Sequence, residues 1–323
     1  MVKTVAAACA VTLLLVACQA PAGGETEPAI VTTAATATAA TAATATAAEH
    51  RGSTEARAQP PAVISCTFPD VPAARQLAER MVADGSLIAS TAPSTVAFAV
   101  YDYATGVTCV RNAAAVFESA SIIKVSTVAA RLWQAEGGGF EMSEEERWLA
   151  ELAITVSDND AQQYLWESIG GAPAITDFFS AAGMTATTPS GDDDWGLTQV
   201  TAGDQLRLIR HLVEGTLLSR ADSDFLLDLM HRVDPEQVWG VNSGAPAGAE
   251  VMLKNGWLDD PLPCDEAAEF CDVTWTNNSV GYISSPTASY SMAVLSSGNP
   301  SHEDGLALVS AVAAEVAAAV QGR

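Results

Sequence analysis

Residues 117–124 read Phe-Glu-Ser-Ala-Ser-Ile-Ile-Lys, and the chain changes here from strand patterns to helix patterns. Ser121 and Lys124 are three residues apart, a spacing that puts both side chains on one face of a helix. If Ser121 opens this helix, the helix N-terminus favours negative charge near its oxygen. A neutral Lys124 could take the hydroxyl proton, because a lysine, unlike an arginine, can lose its charge when buried. The alternative is a helix-capping serine beside a solvated lysine, which so short a motif does not exclude.

The patterns on either side of this segment predict an α+β fold. Residues 95–103 and 107–111 read as two strands joined by a turn. Apolar residues then recur at helical spacing in 121–134, 143–156, 161–169, 173–182, 201–213 and 222–232. Strand patterns return at 250–257, 273–284 and 288–296, and a helix follows at 301–320. We expect an antiparallel sheet from both chain ends with flanking terminal helices, plus an all-helical subdomain at about 125–235.

A second hydroxyl motif, Ser157-Asp158-Asn159, lies at a predicted junction between helices. Ser157 could relay a proton to a leaving group, and Asn159 could position it by hydrogen bonds. The alternative is a helix cap and turn, which Ser, Asp and Asn form readily.

Lysine is rare in this chain, so its positions are informative. Lys3, Lys124 and Lys254 stand against twelve arginines. Lys254 begins the motif Lys-Asn-Gly, residues 254–256, at the end of an apolar run. A cation here can hold a substrate carboxylate, and Gly256 allows a substrate to approach the backbone. Asn-Gly is also a strong hairpin-turn signal, so a simple turn is the alternative.

Together the three motifs form the ordered set found in class A β-lactamases and penicillin-binding proteins. Residues 95–323 resemble a class A β-lactamase domain, which implies the β-lactamase/transpeptidase-like form of the α+β fold. Within that superfamily the sequence is most similar to actinobacterial serine-hydrolase lipoproteins. These carry a Trp-Gly-Leu-Thr segment, here 195–198, and a Lys-Asn-Gly-Trp segment, here 254–257.

The resemblance implies a role for each matching residue. Ser121 would be the nucleophile, Lys124 the general base and Ser157 the proton relay to the departing nitrogen. Lys254 would support Ser157 and bind the substrate carboxylate. The backbone N–H groups of Ser121 and Trp257 would form the oxyanion hole. The remaining expected substrate-binding residues are Asn159, Asn255 and Gly256.

The sequence departs from class A β-lactamases at the omega loop. Their Glu-x-x-Leu-Asn pattern has no counterpart in residues 183–205, which contain no glutamate. The acids at 192–194 could substitute, but a solvated loop with a helix-capping role is the simpler interpretation. Fast deacylation is therefore not expected. Asn255 replaces the usual threonine or serine, and no arginine lies in the later strands, so carboxylate recognition should be weaker.

The N-terminus predicts export and lipidation. Residues 1–18 combine Lys3, an apolar run and Leu-Val-Ala before Cys18, which resembles a bacterial lipobox. An ordinary cleaved signal peptide is the alternative. Residues 19–60, rich in alanine and threonine, predict a disordered tether, because they cannot bury enough apolar surface to offset their ordering entropy. The hydrolase domain is expected at 61–323, extracytoplasmic and anchored to the membrane through lipid.

Charge and cysteines limit the partners. The formal net charge of −24 opposes binding to nucleic acid. In the oxidising compartment, four cysteines allow three pairings, and we favour Cys66–Cys109 with Cys264–Cys271 over zinc because no histidine lies near them. We expect the protein to bind no metal and no cofactor. We also expect it to be a monomer. The histidines outside the tether are expected at the surface: His211, His231 and His302.

These observations predict a serine hydrolase that forms an acyl-enzyme through Ser121 with β-lactams or related amides and deacylates slowly. One alternative is a penicillin-binding, D,D-peptidase-like cell-wall enzyme. Another is a non-catalytic binding lipoprotein, against which the two retained lysines argue. In each case the partner is a small molecule, either a β-lactam or a peptidoglycan-like peptide.

Overall fold

The computed structural model describes residues 29–34, 63–84, 91–191, 194–262 and 272–322. Its strands are β1 (Ala29–Ala34), β2 (Val63–Phe68), β3 (Thr95–Asp102), β4 (Val107–Arg111), β5 (Phe117–Glu118), β6 (Gln199–Val200), β7 (Glu250–Pro261), β8 (Val273–Ser284) and β9 (Ser289–Asn299). Its helices are α1 (Pro72–Ala83), α2 (Ile123–Gly138), α3 (Glu144–Thr155), α4 (Asn159–Ile169), α5 (Gly171–Ala181), α6 (Ala202–Glu214), α7 (Arg220–His231) and α8 (His302–Gln321). Short 3₁₀ turns lie at Ala120–Ile122, Trp195–Leu197 and Pro235–Gln237.

Seven strands form one antiparallel sheet in the order β1-β2-β4-β3-β9-β8-β7. Successive side chains of a strand face opposite sides of a sheet. Val96, Phe98 and Val100 of β3 accordingly pack in the core with α1 and α8, whereas Ala97 and Ala99 face the core of the helices between β5 and β7. The expected α+β architecture, with an antiparallel sheet from both chain ends, is confirmed.

Sequence signals that act over a few residues, such as a capping box, predicted the local structure well. The capping box of α3 is present, because the Ser143 hydroxyl accepts from the Glu146 backbone N–H and the Glu146 carboxylate accepts from the Ser143 N–H. The helix expected from Ser121 begins at Ile123 instead, after a 3₁₀ turn. No helix in the described ranges is both long and apolar enough to cross a bilayer.

Within the segment predicted to be a tether, residues 29–34 form β1 and pair antiparallel with β2. This segment contains consecutive β-branched residues, Ile-Val-Thr-Thr, which favour extended backbone. Pairing also covers β2, which would otherwise be an edge strand with unpaired backbone groups. The predicted signal peptide, Cys18 and the rest of the tether lie outside the described residues.

The predicted disulfide between Cys66 and Cys109 is confirmed, and the two residues are directly opposite each other on β2 and β4. It ties the segment that leads into α1 to the central sheet. Cys264 and Cys271 lie outside the described residues.

Removing this bridge with the double variant Cys66→Ala/Cys109→Ala is expected to lower the free energy of unfolding by about 2–4 kcal/mol. The bridge restricts the unfolded chain across a sequence separation of 43 residues. Urea unfolding followed by tryptophan fluorescence, without reductant, measures the difference. Equal stability of the variant and the parent would contradict this contribution.

Candidate active site

Ser121 lies in the 3₁₀ turn that leads into α2, and its neighbours hold this turn from two sides. On one side, the Ser119 N–H donates to the Thr198 carbonyl at 2.8 Å and its hydroxyl to the Gly196 carbonyl at 3.1 Å. On the other, the buried Asn278 amide donates to the carbonyl of Ser119 at 3.1 Å. Ala120 has a φ of 47°, a left-handed conformation that costs a non-glycine residue about 1–3 kcal/mol. Such a conformation persists only where the surrounding contacts impose it.

Gly256 of β7 packs directly against the backbone of this turn. A Cβ atom at position 256 would lie 2.6 Å from the Ser121 nitrogen and 2.8 Å from the Ile122 nitrogen. Both distances are shorter than any normal contact, so only glycine lets the edge strand approach the nucleophile this closely.

Gly256→Ala is therefore expected to lower the free energy of unfolding by about 1–3 kcal/mol, or to displace the Ser121 turn and slow its acylation. Urea unfolding and the acylation rate measure both effects. Gly137→Ala is the matched control, because a Cβ there meets nothing within 4 Å inside α2. Alanine should leave stability unchanged at Gly137 or raise it by up to about 1 kcal/mol. Parental stability and acylation rate in Gly256→Ala would refute the close approach.

Lys124 is fully buried on the first turn of α2. Its Nζ lies 2.5 Å from the Ser157 carbonyl oxygen, 3.1 Å from Ser157 Oγ and 2.7 Å from Asn159 Oδ1. Burial lowers the pKa of Lys124 to about 7, and the Asp158 carboxylate opposes part of this shift. Near neutral pH a substantial fraction of this amine therefore has a free lone pair.

Lys254 of β7 is also fully buried, and its Nζ lies 2.9 Å from Ser157 Oγ and 2.9 Å from the Asn255 carbonyl oxygen. Burial, and then the neighbouring charge of Lys124, hold the pKa of Lys254 well below its usual range. The Ser157 hydroxyl thus lies between two amines that are 130 residues apart in the sequence.

The segment Ser157-Asp158-Asn159 forms a helix cap and also contacts the two buried amines. The Asp158 carboxylate accepts from the Ala161 N–H at 2.8 Å and caps α4. Ser157 has a φ of 59°, and Asn159 accepts from Lys124. The capping residue fixes the start of α4, and its two neighbours face the amines.

Asn255 is placed differently from its expected substrate-binding position. It is only 1% exposed, and its amide donates to the carbonyls of Gln237 at 2.7 Å and Trp239 at 3.0 Å. Its donors hold the loop after α7 and are not free for a substrate carboxylate. Trp257, the other expected oxyanion residue, directly follows Gly256 and is 38% exposed.

Trp195 is a site residue whose role the sequence did not reveal. Its ring centroid lies 5.1 Å from Lys124 Nζ, and its indole N–H donates to Gln163 Oε1 at 3.1 Å. Trp195 belongs to the segment matched on resemblance, which was the only available signal. Trp195 lies in the short segment before β6, and its ring covers one side of Lys124. Of the acids at 192–194, the structure describes only Asp194, which is exposed.

Glu118 and Asp260 form a second feature that sequence reasoning missed. The Asp260 carboxyl lies close to that of Glu118, and Thr276 Oγ1 donates to Asp260 Oδ2 at 2.9 Å. Burial, together with Asp260, raises the pKa of Glu118 to about 7. Glu118 therefore holds a proton below neutral pH. In the described ranges no group of three or more histidine, cysteine or acidic residues could hold a metal ion.

Comparisons with known proteins give a family match, distant relatives and solved structures of similar fold. A family model described as "Beta-lactamase enzyme family" matches residues 146–320, which include Ser157 and Lys254 and begin after Lys124. Proteins named "Putative lipoprotein LppW" in Mycobacterium tuberculosis and Mycobacterium bovis are 26% identical over 173 residues, 51% of this chain and 54% of each relative. The chain thus spans about half the length of these curated relatives.

Solved structures show the same fold. A class A β-lactamase from Bacteroides cellulosilyticus superposes with a TM-score of 0.59 at 17% identity, covering 71% of this chain and 93% of that one. PBP-A superposes with a TM-score of 0.64 at 20% identity, covering 80% of this chain and all of PBP-A. At these identities the likeness shows the fold alone.

The matched region contains more than half of the 323 residues and two of the three motifs, within the fold of these structures. The resemblance to the β-lactamase family noted in the sequence is thereby confirmed. The chain belongs to the β-lactamase enzyme family.

Proposed function

We propose that this protein forms an acyl-enzyme through Ser121 with β-lactams or related amides and releases the acyl group slowly. The observation that carries the proposal is the Ser157 hydroxyl, held between Lys124 Nζ at 3.1 Å and Lys254 Nζ at 2.9 Å. Two buried amines on one hydroxyl provide a route for a proton, which a purely structural serine does not require.

Acylation begins when the neutral Lys124 amine takes the proton of the Ser121 hydroxyl. The Ser121 oxygen attacks the amide carbon, and the carbonyl oxygen becomes negative. The N–H groups of Ser121 and Trp257 stabilise this charge, and the close contact at Gly256 keeps these two backbone segments together.

The same proton then reaches the leaving nitrogen through Ser157. Ser157 donates its own proton to the nitrogen as the carbon–nitrogen bond breaks, and it recovers a proton from Lys124. Lys254 donates to the Ser157 oxygen and stabilises it during the transfer. The products of this step are an ester on Ser121 and a free amine.

Slow deacylation follows from the surroundings of Lys124. Hydrolysis of the ester needs a base for the attacking water. In the described part of the chain the hydrogen-bond partners of Lys124 Nζ are Ser157 and Asn159, and the Trp195 ring covers another side. No carboxylate takes part in these contacts, so among the groups around Lys124 the lysine itself would have to serve as the base for water as well as for acylation, and we expect the ester to persist.

This persistence favours a second candidate, a penicillin-binding, D,D-peptidase-like enzyme of the cell wall. A mutant of PBP-A has been solved as an acyl-enzyme complex with penicillin G and shares the fold with a TM-score of 0.62 at 20% identity. The LppW proteins are named as lipoproteins. With the lipobox at Cys18, we propose an extracytoplasmic enzyme anchored by lipid, close to such a substrate.

The test is intact mass spectrometry of the full chain over time after mixing with penicillin G. A lasting adduct of one penicillin supports slow deacylation. A transient adduct with steady hydrolysis of the drug would refute slow deacylation and indicate a true β-lactamase. If neither penicillin nor a fluorophosphonate reagent labels the chain, the acyl-enzyme proposal is wrong and a binding lipoprotein is favoured.

A further inference from the structure

The indole ring of Trp195 covers one side of the buried Lys124 amine. Its centroid lies 5.1 Å from Lys124 Nζ. The hydrogen-bond partners of this nitrogen in the described part of the chain are all polar: the carbonyl oxygen and hydroxyl of Ser157, and Oδ1 of Asn159. Trp195 is therefore an apolar wall beside an amine whose other contacts are polar.

Three sets of contacts fix the position of the Trp195 ring. Its indole N–H donates to Gln163 Oε1 at 3.1 Å, and the Gln163 amide donates to Glu167 Oε1 at 2.9 Å, so the acceptor is itself held on α4. The ring packs against the core of the helical subdomain. The turn that carries the ring is bonded to the nucleophile turn, because the Ser119 hydroxyl donates to the Gly196 carbonyl at 3.1 Å. The ring therefore cannot turn away without breaking these contacts.

The covered side of Lys124 has no room for a water molecule. A water that hydrogen-bonds to Nζ lies about 2.9 Å from it. On the line to the indole, such a water would lie about 2 Å from the ring centroid, which is closer than any atom can approach. Hydrolysis of the Ser121 ester requires a water that reaches a base. The ring therefore closes one approach of water to the amine.

We propose that Trp195 is a positioning residue that keeps water away from Lys124 after acylation, so that the ester on Ser121 persists. This inference rests on the proposed acylation of Ser121 and names the side chain that makes deacylation slow. Without the indole, a water in its space has Lys124 Nζ on one side and the released Gln163 Oε1 on the other. A buried water is stable where it has at least two polar partners of this kind.

The hydrolysis that Trp195 prevents needs only water and groups already in the site. The Lys124 amine takes a proton from the water, and the water oxygen attacks the ester carbon. The bond between this carbon and the Ser121 oxygen then breaks, and the Ser121 oxygen recovers the proton from Lys124. The products are a carboxylic acid and the free Ser121 hydroxyl, so each cycle consumes one water and restores the enzyme.

The test measures how long the penicillin G adduct lasts in Trp195→Ala. The full chain is acylated, excess penicillin is removed by rapid gel filtration, and decay of the adduct is followed by intact mass. The rate constant of decay is expected to rise at least about 10-fold over that of the parent, because water now reaches the base. This rate constant is insensitive to the fraction of the sample that folds, since only folded protein carries the adduct.

Three further variants separate this role from the general loss of a large side chain. Trp195→Phe keeps an apolar ring beside Lys124, so its adduct should decay at least about threefold more slowly than that of Trp195→Ala. Trp148→Ala is the matched control and should decay at the parent rate, because Trp148 is 57% exposed on α3. Gln163→Ala changes a partly exposed residue of α4 and should speed decay by about 2- to 10-fold, the equivalent of one hydrogen bond to the indole. Gln163→Ala also tests the role if Trp195→Ala fails to fold.

The pH dependence of decay identifies the base that the water meets. Burial lowers the pKa of Lys124 to about 7, and the charged groups near it, Asp158 and Lys254, are retained in Trp195→Ala. Decay in this variant should therefore rise about tenfold per pH unit while the amine is protonated and level off once it is neutral. A decay rate independent of pH would place the base elsewhere, such as at the exposed Asp194, and would overturn the inference.

The outcomes distinguish this inference from the proposed function. If the adducts of Trp195→Ala and Gln163→Ala last as long as that of the parent, the role assigned to Trp195 is wrong and acylation of Ser121 stands. If the parent adduct itself decays rapidly, slow deacylation fails and this inference fails with it. If neither penicillin G nor a fluorophosphonate labels Ser121 of the parent, both proposals are wrong.

Discussion

Ser121→Ala is expected to abolish adduct formation with penicillin G and to reduce any hydrolysis by on the order of 10⁴-fold or more. Alanine removes the only atom that can form the ester and leaves Lys124, Ser157 and Lys254 in place. Intact mass spectrometry at saturating penicillin measures the adduct. The fold should be retained, because the substitution removes one atom from a partly exposed side chain.

Ser126→Ala is the matched control for this substitution. Ser126 is fully buried on α2, two residues after Lys124, and its hydroxyl has no hydrogen-bond partner in the described structure. Its removal should leave both the rate and the extent of acylation close to those of the parent. An adduct of undiminished mass and rate in Ser121→Ala would place the nucleophile elsewhere and overturn the proposed site.

Lys124→Met is expected to slow acylation by about 10³-fold, within the range for the loss of a general base. Methionine fills a similar volume without a titrating amine. Its effect on stability should be small, because it also removes the cost of burying an amine. Stopped-flow or quenched mass measurements of the acylation rate, with urea unfolding alongside, separate the two effects. A rate within about threefold of the parent would exclude Lys124 as the base.

The pH dependence gives an independent check on the same residue. The pKa of Lys124 is lowered to about 7, so below this pH the amine is protonated and has no lone pair to accept a proton. The acylation rate of the parent should therefore rise about tenfold per pH unit below 7 and level off above it. Lys124→Met should lack this inflection. Ser157→Ala should be slower and yet retain it, because Lys124 remains.

The residues of the proposed site could largely be identified from the sequence because its motifs are local. Ser121 and Lys124 lie on successive turns of the same helical segment, and Ser157 and Asn159 flank one helix cap. The scarcity of lysine singled out Lys124 and Lys254 as candidates. What each residue touches could not be anticipated in the same way. Asn255, identified in the motif, is bonded to the loop after α7 and not to the cleft.

Residues that contact the site but lie far from its motifs in the sequence could not be identified from the sequence. Asn278 holds the nucleophile turn from a position 159 residues away in the sequence, and Trp195, which covers Lys124, comes 71 residues after it. His302 was expected at the surface, but it is half-buried against Trp275, whose ring centroid lies 5.2 Å away. The tether was predicted as disordered, but part of it pairs with β2, because a strand is stabilised by its neighbour as well as by its own composition.

The sequence alone determined the α+β class, the order of the main elements from residue 95 onward and the residue types available for acyl transfer, and it limited the four remaining cysteines to three pairings. These follow from periodicity, capping, cysteine count and the rarity of lysine, which act within a few residues or on composition. Only the tertiary structure decided that two lysines share the Ser157 hydroxyl, that β7 touches the nucleophile turn and that His302 lies among tryptophans. Burial and desolvation arise from contacts between residues far apart in the chain, and these set the pKa values and the shape of the site.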